Sequence, residues 1–396
     1  MRLAIFTDSY KPQINGVVTQ IANISSEFVR RGHQVIVIAP SGDGRHSESM
    51  DGGVKVVFLP SVALPSYKDY KITLPHSPRV FREMDSFRPD IIHVHTPFGV
   101  GWLGLRCAKR LHVPVVGTYH TLLPEFLMYL PVSALARANW AKQTTWKYTN
   151  FFYGKCDIVT TPTERMKDEL SLNGLSGAVV LPNAIDFRMF NKRRRRNHSA
   201  KRVKIIYFGR VSYEKNIEVL LLALKHLLWK RKDASLSITG SGPAMRRMGK
   251  IAREQDISAH VHFSGALSSP ELAEHVAMHD IFATASTIET QGLTILEAMA
   301  AGLPCVGPDF LAVPDSIRDG KNGFLFKPYD FVEAAAKIEK LASSPSLRKR
   351  MGGNAIETAR KFSVNVVADQ TEKLYTGLIR LSSNGAQVTR AGKHGK

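Results

Sequence analysis

Ile281-Phe282-Ala283-Thr284-Ala285-Ser286-Thr287-Ile288-Glu289-Thr290-Gln291-Gly292-Leu293-Thr294-Ile295-Leu296-Glu297-Ala298-Met299-Ala300-Ala301-Gly302 is the stretch from which the fold can be read. Its first five residues end a buried strand, a polar turn follows, and a helix is entered at Gln291-Gly292 and closed by Gly302 and Pro304. The first turn of a helix has unpaired backbone N–H groups and a positive dipole end, and Gly292 lets the backbone approach closely, so the turn suits an anionic group. Two carboxylates frame it. Glu289 lies just before the helix and Glu297 about a turn and a half inside, so the pair reaches two different parts of one ligand. The same residues also fit a first-turn acid that complements the dipole and a solvated helix residue.

The pattern of strand, turn and helix repeats on both sides. Residues 3–7, 34–39, 54–59, 91–95 and 113–119 read as strands, and residues 17–31, 78–87 and 99–111 as helices, an alternation that implies parallel sheets joined by helices. Ligands in such sheets gather at the carboxyl ends of strands. The first end carries Tyr10 and then Asn15-Gly16, which opens a helix and can offer backbone N–H groups to a phosphate; an ordinary strand-to-helix turn uses Asn-Gly as well. His93 and His95 alternate along another strand, are read as pointing to opposite faces, and so argue against a shared metal site. His120 closes the strand at 113–119 and on residue type alone is a loop histidine.

In the second half the alternation restarts at residue 203, where Gly209-Arg210 and Lys215-Asn216 follow a strand and precede a helix, so both cations can lean over the strand ends toward a diphosphate, although as a bare Arg plus Lys they are unremarkable. Ser237-Ile238-Thr239-Gly240-Ser241-Gly242 adds a second glycine turn, weak evidence taken alone. Further strands fit near residues 261–264, 281–285 and 305–307.

Together these residues resemble the family-4 retaining glycosyltransferases, in particular the diacylglycerol glucosyltransferases and GDP-mannose-dependent lipid mannosyltransferases. Glu289 and Glu297, with seven residues between them, match the paired-glutamate motif, and Gly209-Arg210 with Lys215-Asn216 matches the diphosphate-clamping pair. The resemblance covers residues 1 to about 381. It implies α/β architecture, two doubly wound Rossmann-like domains facing across a cleft (GT-B), with the C-terminal helix returning to the first domain. It implies a hexosyltransferase with His120, Glu289, Arg210 and Lys215 in catalysis. The donor site would comprise Gly16, Arg210, Lys215, Gly240, Glu289, Thr290, Gln291, Gly292, Leu293 and Glu297, with Glu289 on the sugar and Glu297 on the ribose diol. The expected donor is UDP-glucose and the expected acceptor a membrane lipid such as 1,2-diacylglycerol. GDP-mannose, soluble sugar or sugar-phosphate acceptors, a nucleotide-sugar epimerase and a nucleotide-binding protein without catalysis are the rival readings. No Asp-x-Asp motif stands at a strand end and no cysteine pair has metal-ligand spacing, so no cofactor or metal is expected, and the cations are expected to neutralise the donor.

Chain length, 396 residues, favours two domains. The expected division is 1–190, a basic linker at 191–201, 202–362, a helix at 363–381 packing back toward the first domain, and a disordered tail at 382–396. The net charge of +20 is spread over both halves and accompanies no nucleic-acid-binding motif, so an anionic surface or polyphosphate substrate is the expected partner; oligomeric state is unassigned. Residues 126–156 contain no acid, four basic residues and eight aromatics. Tyr129, Trp140, Lys142 and Lys147 there, with Tyr10, are the acceptor or membrane candidates, although Ala138, Ala141, Thr145, Tyr148 and Phe152 form a core-like stripe. With no spanning segment or signal-peptide core, the chain is expected in the cytoplasm, peripherally on the inner membrane face, held there by residues 126–155 or by arginines 193–196.

Overall fold

The computed structural model describes residues 1–13, 15–64, 67–120, 139–192 and 202–384. The chain forms two compact units, Met1–Ala184 joined by the chain from Val364, and Ile185–Ser363.

The first unit is built on an eight-stranded sheet. In chain order its strands are β1 (Arg2–Phe6), β2 (Gln34–Pro40), β3 (Ser47–Asp51), β4 (Val54–Leu59), β7 (Ile91–Val94), β8 (Val115–Thr118), β9 (Ile158–Thr161) and β10 (Val179–Val180), with a separate hairpin of β5 (Val62–Leu64) and β6 (Tyr67–Ile72). The spatial order is β10-β9-β8-β7-β1-β2-β4-β3, parallel except for β3 at the edge. Order reverses between β1 and β7, so the loops after these strands diverge and leave a crevice at their carboxyl ends. Helices α1 (Gly16–Arg30), α2 (Pro78–Phe87), α3 (Gly99–Leu111), α4 (Asn139–Tyr153) and α5 (Glu164–Leu172) connect the strands. Local signals set several of these bounds: Ser77 caps α2 with Pro78 behind it, and Thr163 caps α5 by accepting from Met166 N–H at 3.3 Å.

The second unit holds β11 (Val203–Phe208), β12 (Ala234–Thr239), β13 (Val261–Gly265), β14 (Ile281–Ala283), β15 (Cys305–Pro308) and β16 (Gly323–Phe326), in the order β13-β12-β11-β14-β15-β16 and all parallel. Its reversal point lies between β11 and β14. Helices α6 (Phe187–Phe190), α7 (Ile217–Leu228), α8 (Met245–Glu254), α9 (Ser269–Ala277), α10 (Leu293–Ala300), α11 (Val313–Ser316), α12 (Phe331–Ala342) and α13 (Pro345–Arg360) flank it. Strands covered on both faces must be apolar throughout, which is why β11 and β14 read as runs rather than alternations.

The units divide at Ala184, ahead of residues 191–201. Ile185 pairs with Ser363 and is buried with Phe190 among Phe208, Phe282 and Leu296, so this short segment already belongs to the second core. Lys192 sits in that unit, bonded to Glu274; residues 193–201, including arginines 193–196, lie outside the described residues.

The last helix, α14 (Val364–Ser383), belongs to the first unit. It extends two residues past the expected end at 381, because Ser383 Oγ and Asn384 N–H still bond carbonyls of the preceding turn; residues 385–396 lie outside the described residues. Its Val367, Ala368, Tyr375 and Leu378 are buried with Phe28, Ile21 and Ile24 of α1, each large side chain contributing about 1.5–3 kcal/mol of apolar burial. Arg31 reaches Asp369 at 2.7 Å and Glu372 at 2.8 Å. Cys107, Cys156 and Cys305 are buried thiols. No helix among the described residues is long and apolar enough to cross a membrane.

Candidate active site

At the carboxyl ends of β11 and β14 the second unit assembles the motif residues. Three glycines make this possible. A Cβ on Gly240 would stand 1.8 Å from the Gly209 carbonyl oxygen, and one on Gly242 would stand 2.3 Å from that of Val211, so the turns after β11 and β12 close only without side chains. Gly292, at φ +77°, starts α10. Tyr207 donates to the Arg210 carbonyl at 2.7 Å and holds the loop that carries Arg210. Asn216, in the left-handed region at φ +49°, ties this loop to the next: its side-chain amide donates to Ala285 O at 3.3 Å and Thr287 Oγ1 at 3.1 Å.

Lys215 Nζ lies 2.6 Å from Glu289 Oε1 and 3.4 Å from Ser286 Oγ, with both side chains of the ion pair largely buried. Burial alone would raise the Glu289 pKa, but the Lys215 ammonium and a Ser286 hydrogen bond outweigh it and hold the carboxyl below its usual range. Glu297, one helix face farther on, behaves oppositely. Burial, helped by the Asp186 carboxylate, pushes it up to about 8. Arg210 is half-buried, and desolvation lowers its pKa, with Glu214 opposing. Gln291 is buried, its carbonyl accepting from Ser316 Oγ at 3.3 Å, whereas Thr290 and Leu293 stay partly exposed.

In the first unit, the carboxyl ends of β1, β7 and β8 bring polar side chains together. Asp8, just past β1, is buried and accepts from Thr96 Oγ1 at 2.6 Å and from Val100 N–H at 2.9 Å, so it neutralises the first turn of α3; burial still raises its pKa to about 6. His93 and His95 are on one face of β7, their ring centres 3.9 Å apart, which corrects the expectation of opposite faces. Residues two apart on a strand share a face because side chains alternate with period two. His93 bonds Tyr375 OH at 2.5 Å and Thr118 Oγ1 at 2.6 Å; His95 Nδ1 is 2.8 Å from His120 Nε2. Burial holds His93 and His120 at about 3 and His95 well below its ordinary value, so all three are neutral. Among the described residues, no three His, Cys, Asp or Glu side chains are arranged to hold a metal.

Gly16 is exposed at the start of α1, whose Asn15 cap accepts from Val18 N–H. The acceptor and membrane candidates separate. Tyr10 is buried in the core, its hydroxyl 3.3 Å from Asp51 Oδ2. Trp140, Lys142, Lys147 and Phe151 are exposed on α4, while Ala141, Thr149 and Phe152 of the same helix face inward. Lys155 Nζ sits 4.2 Å from the Phe151 ring centre. Tyr129 lies outside the described residues. Sequence reasoning did not single out Asp8, Asp186, Asn216, Ser286 or Tyr375; Asn216 and Ser286 stand within the strand-end runs that carry the motifs, and the others give no local signal.

A family model described as Glycosyltransferase Family 4 matches residues 14–188, and one described as Glycosyl transferases group 1 matches residues 189–358. The chain is 28% identical to the alpha-monoglucosyldiacylglycerol synthase of Acholeplasma laidlawii, over 96% of this chain and 98% of that protein. It is 30% identical to a GDP-mannose-dependent alpha-mannosyltransferase of Mycobacterium tuberculosis, over 84% and 85%. The crystal structure of Anabaena HepE in complex with UDP superposes with a TM-score of 0.73 at 18% identity, covering 95% of this chain and 100% of that one. The fold, α/β with two Rossmann-like units, is therefore that of the GT-B glycosyltransferases. The chain belongs to glycosyltransferase family 4 and is a hexosyltransferase.

Proposed function

We propose that the protein transfers a hexose with retention from a nucleoside-diphosphate sugar, UDP-glucose in the first instance, to a membrane lipid such as 1,2-diacylglycerol. The observation that carries this reading is the near full-length likeness to a glucosyldiacylglycerol synthase, combined with the Lys215–Glu289 pair at the reversal point of the second sheet. Arg210, Lys215 and the backbone N–H groups around Gly292 receive the diphosphate, and their positive charge stabilises it as the bond to the anomeric carbon breaks. Glu289 bonds hydroxyls of the sugar, Glu297 the ribose diol, and Gly16 and Gly240 give the backbone access that a diphosphate sugar needs. Thr290, Gln291 and Leu293 line the same turn. His120 serves the transferred sugar. The departing phosphate takes the acceptor proton on the face it leaves from.

A lipid acceptor stays in its bilayer, so the enzyme must come to the surface. The exposed Trp140 and Phe151 with Lys142, Lys147 and Lys155 on and beside α4 combine rings and cations as interfacial helices do, and support peripheral attachment to the inner, anionic face of the cell membrane. A second reading, mannosyl transfer from GDP-mannose, is favoured by the 30% identity to the mannosyltransferase. Radiolabelled UDP-glucose, UDP-galactose and GDP-mannose, each incubated with the protein and with vesicles containing diacylglycerol, distinguish the two. Label from UDP-glucose appearing in a lipid extract is the expected result. Label entering lipid only from GDP-mannose establishes the second reading, and transfer to soluble acceptors alone overturns the lipid assignment.

A further inference from the structure

Asn216 stands directly ahead of α7, at the position where an asparagine side chain ordinarily accepts from the first free N–H groups of a helix, and it makes no such bond. Its backbone is left-handed at φ +49°, which asparagine tolerates better than most residues, and its side chain is turned across to the next loop. There the amide donates to Ala285 O at 3.3 Å and to Thr287 Oγ1 at 3.1 Å. A carbonyl oxygen only accepts, so the amide nitrogen is the atom that faces Ala285. The side chain thus gives up a helix cap and joins two loops instead.

The two ends of this bridge adjoin the two ends of the ion pair. Asn216 follows Lys215 in the chain, and Ala285 and Thr287 stand just ahead of Glu289. The pair itself, with 2.6 Å between Lys215 Nζ and Glu289 Oε1, holds the loops together by charge. A diphosphate brought to the same ammonium competes with Glu289 for it, because each is an anion seeking one cation. The amide bridge joins neutral groups only and is indifferent to that competition.

We propose that Asn216 is a positioning residue: its amide tethers the turn that carries Glu289 to the loop that carries Lys215, and keeps Glu289 in place for the sugar when the donor diphosphate draws on the ammonium. This rests on the reading of Glu289 as the residue that bonds the transferred sugar. Asn216 acts only through that turn.

The experiment separates the amide from the backbone. In the whole chain, Asn216→Gly removes the amide and keeps the left-handed turn, whereas Asn216→Ala removes the amide and strains the turn. Both are expected to lower kcat with UDP-glucose on the order of tenfold or more, the scale of loss when a reacting group is slightly misplaced, while isothermal titration finds UDP affinity within about threefold. An Asn216→Gly protein that turns over at the wild-type rate shows that the position serves the backbone alone and overturns the proposal. Thr287→Val takes away one of the two acceptors with little change of volume and is expected to give the same split between kcat and affinity at smaller size, which keeps the test open should the variants at position 216 fail to fold. Glu289→Gln supplies the readout that a general loss of structure would not move. When the tether acts through Glu289, Asn216→Gly costs little more once Glu289→Gln is present; losses that simply multiply overturn the proposal. Glu289→Gln at the wild-type rate removes the reading of Glu289 on the sugar and the tether's role with it, whereas Asn216→Gly at the wild-type rate beside a slow Glu289→Gln removes the tether alone.

Discussion

The two units bury polar groups at corresponding places, the carboxyl ends of their central strands, and solve the cost in opposite ways. In the second unit a buried carboxylate keeps its charge because an ammonium stands 2.6 Å away. In the first, three histidines are buried beside one another, burial lowers the pKa of each, and all three stay neutral. Charge survives burial where a partner offsets desolvation and disappears where none does. The second unit is thus suited to holding an anionic donor and the first to presenting neutral hydrogen-bonding groups. Glu289 and Glu297 repeat the contrast within one turn and helix: the first is held low by Lys215, the second pushed to about 8 by burial and Asp186.

The largest expected effect breaks the charged pair. Glu289→Gln should abolish most turnover while isothermal titration finds nucleotide affinity within a few-fold, and Glu297→Gln should weaken nucleotide binding itself. Equal losses of affinity in the two variants would refute the division of roles. Next in size is the loss of one cation: Arg210→Met or Lys215→Met should each cost about 2–4 kcal/mol in kcat/KM, as for removal of one electrostatic donor. Turnover of the intact protein should continue in EDTA, since these cations carry the neutralisation. Inactivation by EDTA reversed with magnesium would show otherwise.

A pH series of urea unfolding sharpens the same contrast. Glu297 titrates near 8 folded and near 4.5 unfolded, so the protein binds more protons folded than unfolded between these values and loses stability as pH rises through that window. His93 and His120 titrate near 3 folded and near 6.5 unfolded, so their contribution is present above 6.5 and is lost as pH falls toward 3. Each unmatched proton changes stability by about 1.4 kcal/mol per pH unit. Glu297→Gln should flatten the alkaline slope and leave the acid slope unchanged; an unaltered alkaline slope would show that Glu297 is not protonated at neutral pH. The smallest effect concerns the surface. Lys142→Glu with Lys147→Glu should weaken cosedimentation with anionic vesicles at low salt more than Arg193→Glu with Arg194→Glu, and high salt should release all forms. Indifference of the wild type to such vesicles would favour a soluble acceptor.

Helices α2 and α3 have the bounds read from sequence, because the signals that start and stop a helix act within about one turn of the chain. Edge strand β3 and hairpin β5–β6 went unread, being polar or short. Strand β16 was missed for a different reason: Gly323 is required there because a Cβ would meet the Cys305 carbonyl oxygen at 2.0 Å, a constraint imposed by the neighbouring strand.

By itself the sequence determined the alternation of strands and helices, the glycine turns, and the spacing that sets Arg210 and Lys215 before one helix and Glu289 and Glu297 around another. These follow from local periodicity and from residues a few positions apart. Only the tertiary structure decided the charge states and partners: that Lys215 meets Glu289 across 74 positions, that Glu297 faces Asp186, and that Tyr375 of the terminal helix holds His93 across 282. Desolvation and hydrogen bonding depend on what lies within a few ångströms in space, and neighbours contributed by distant parts of a chain leave no periodic trace in its sequence.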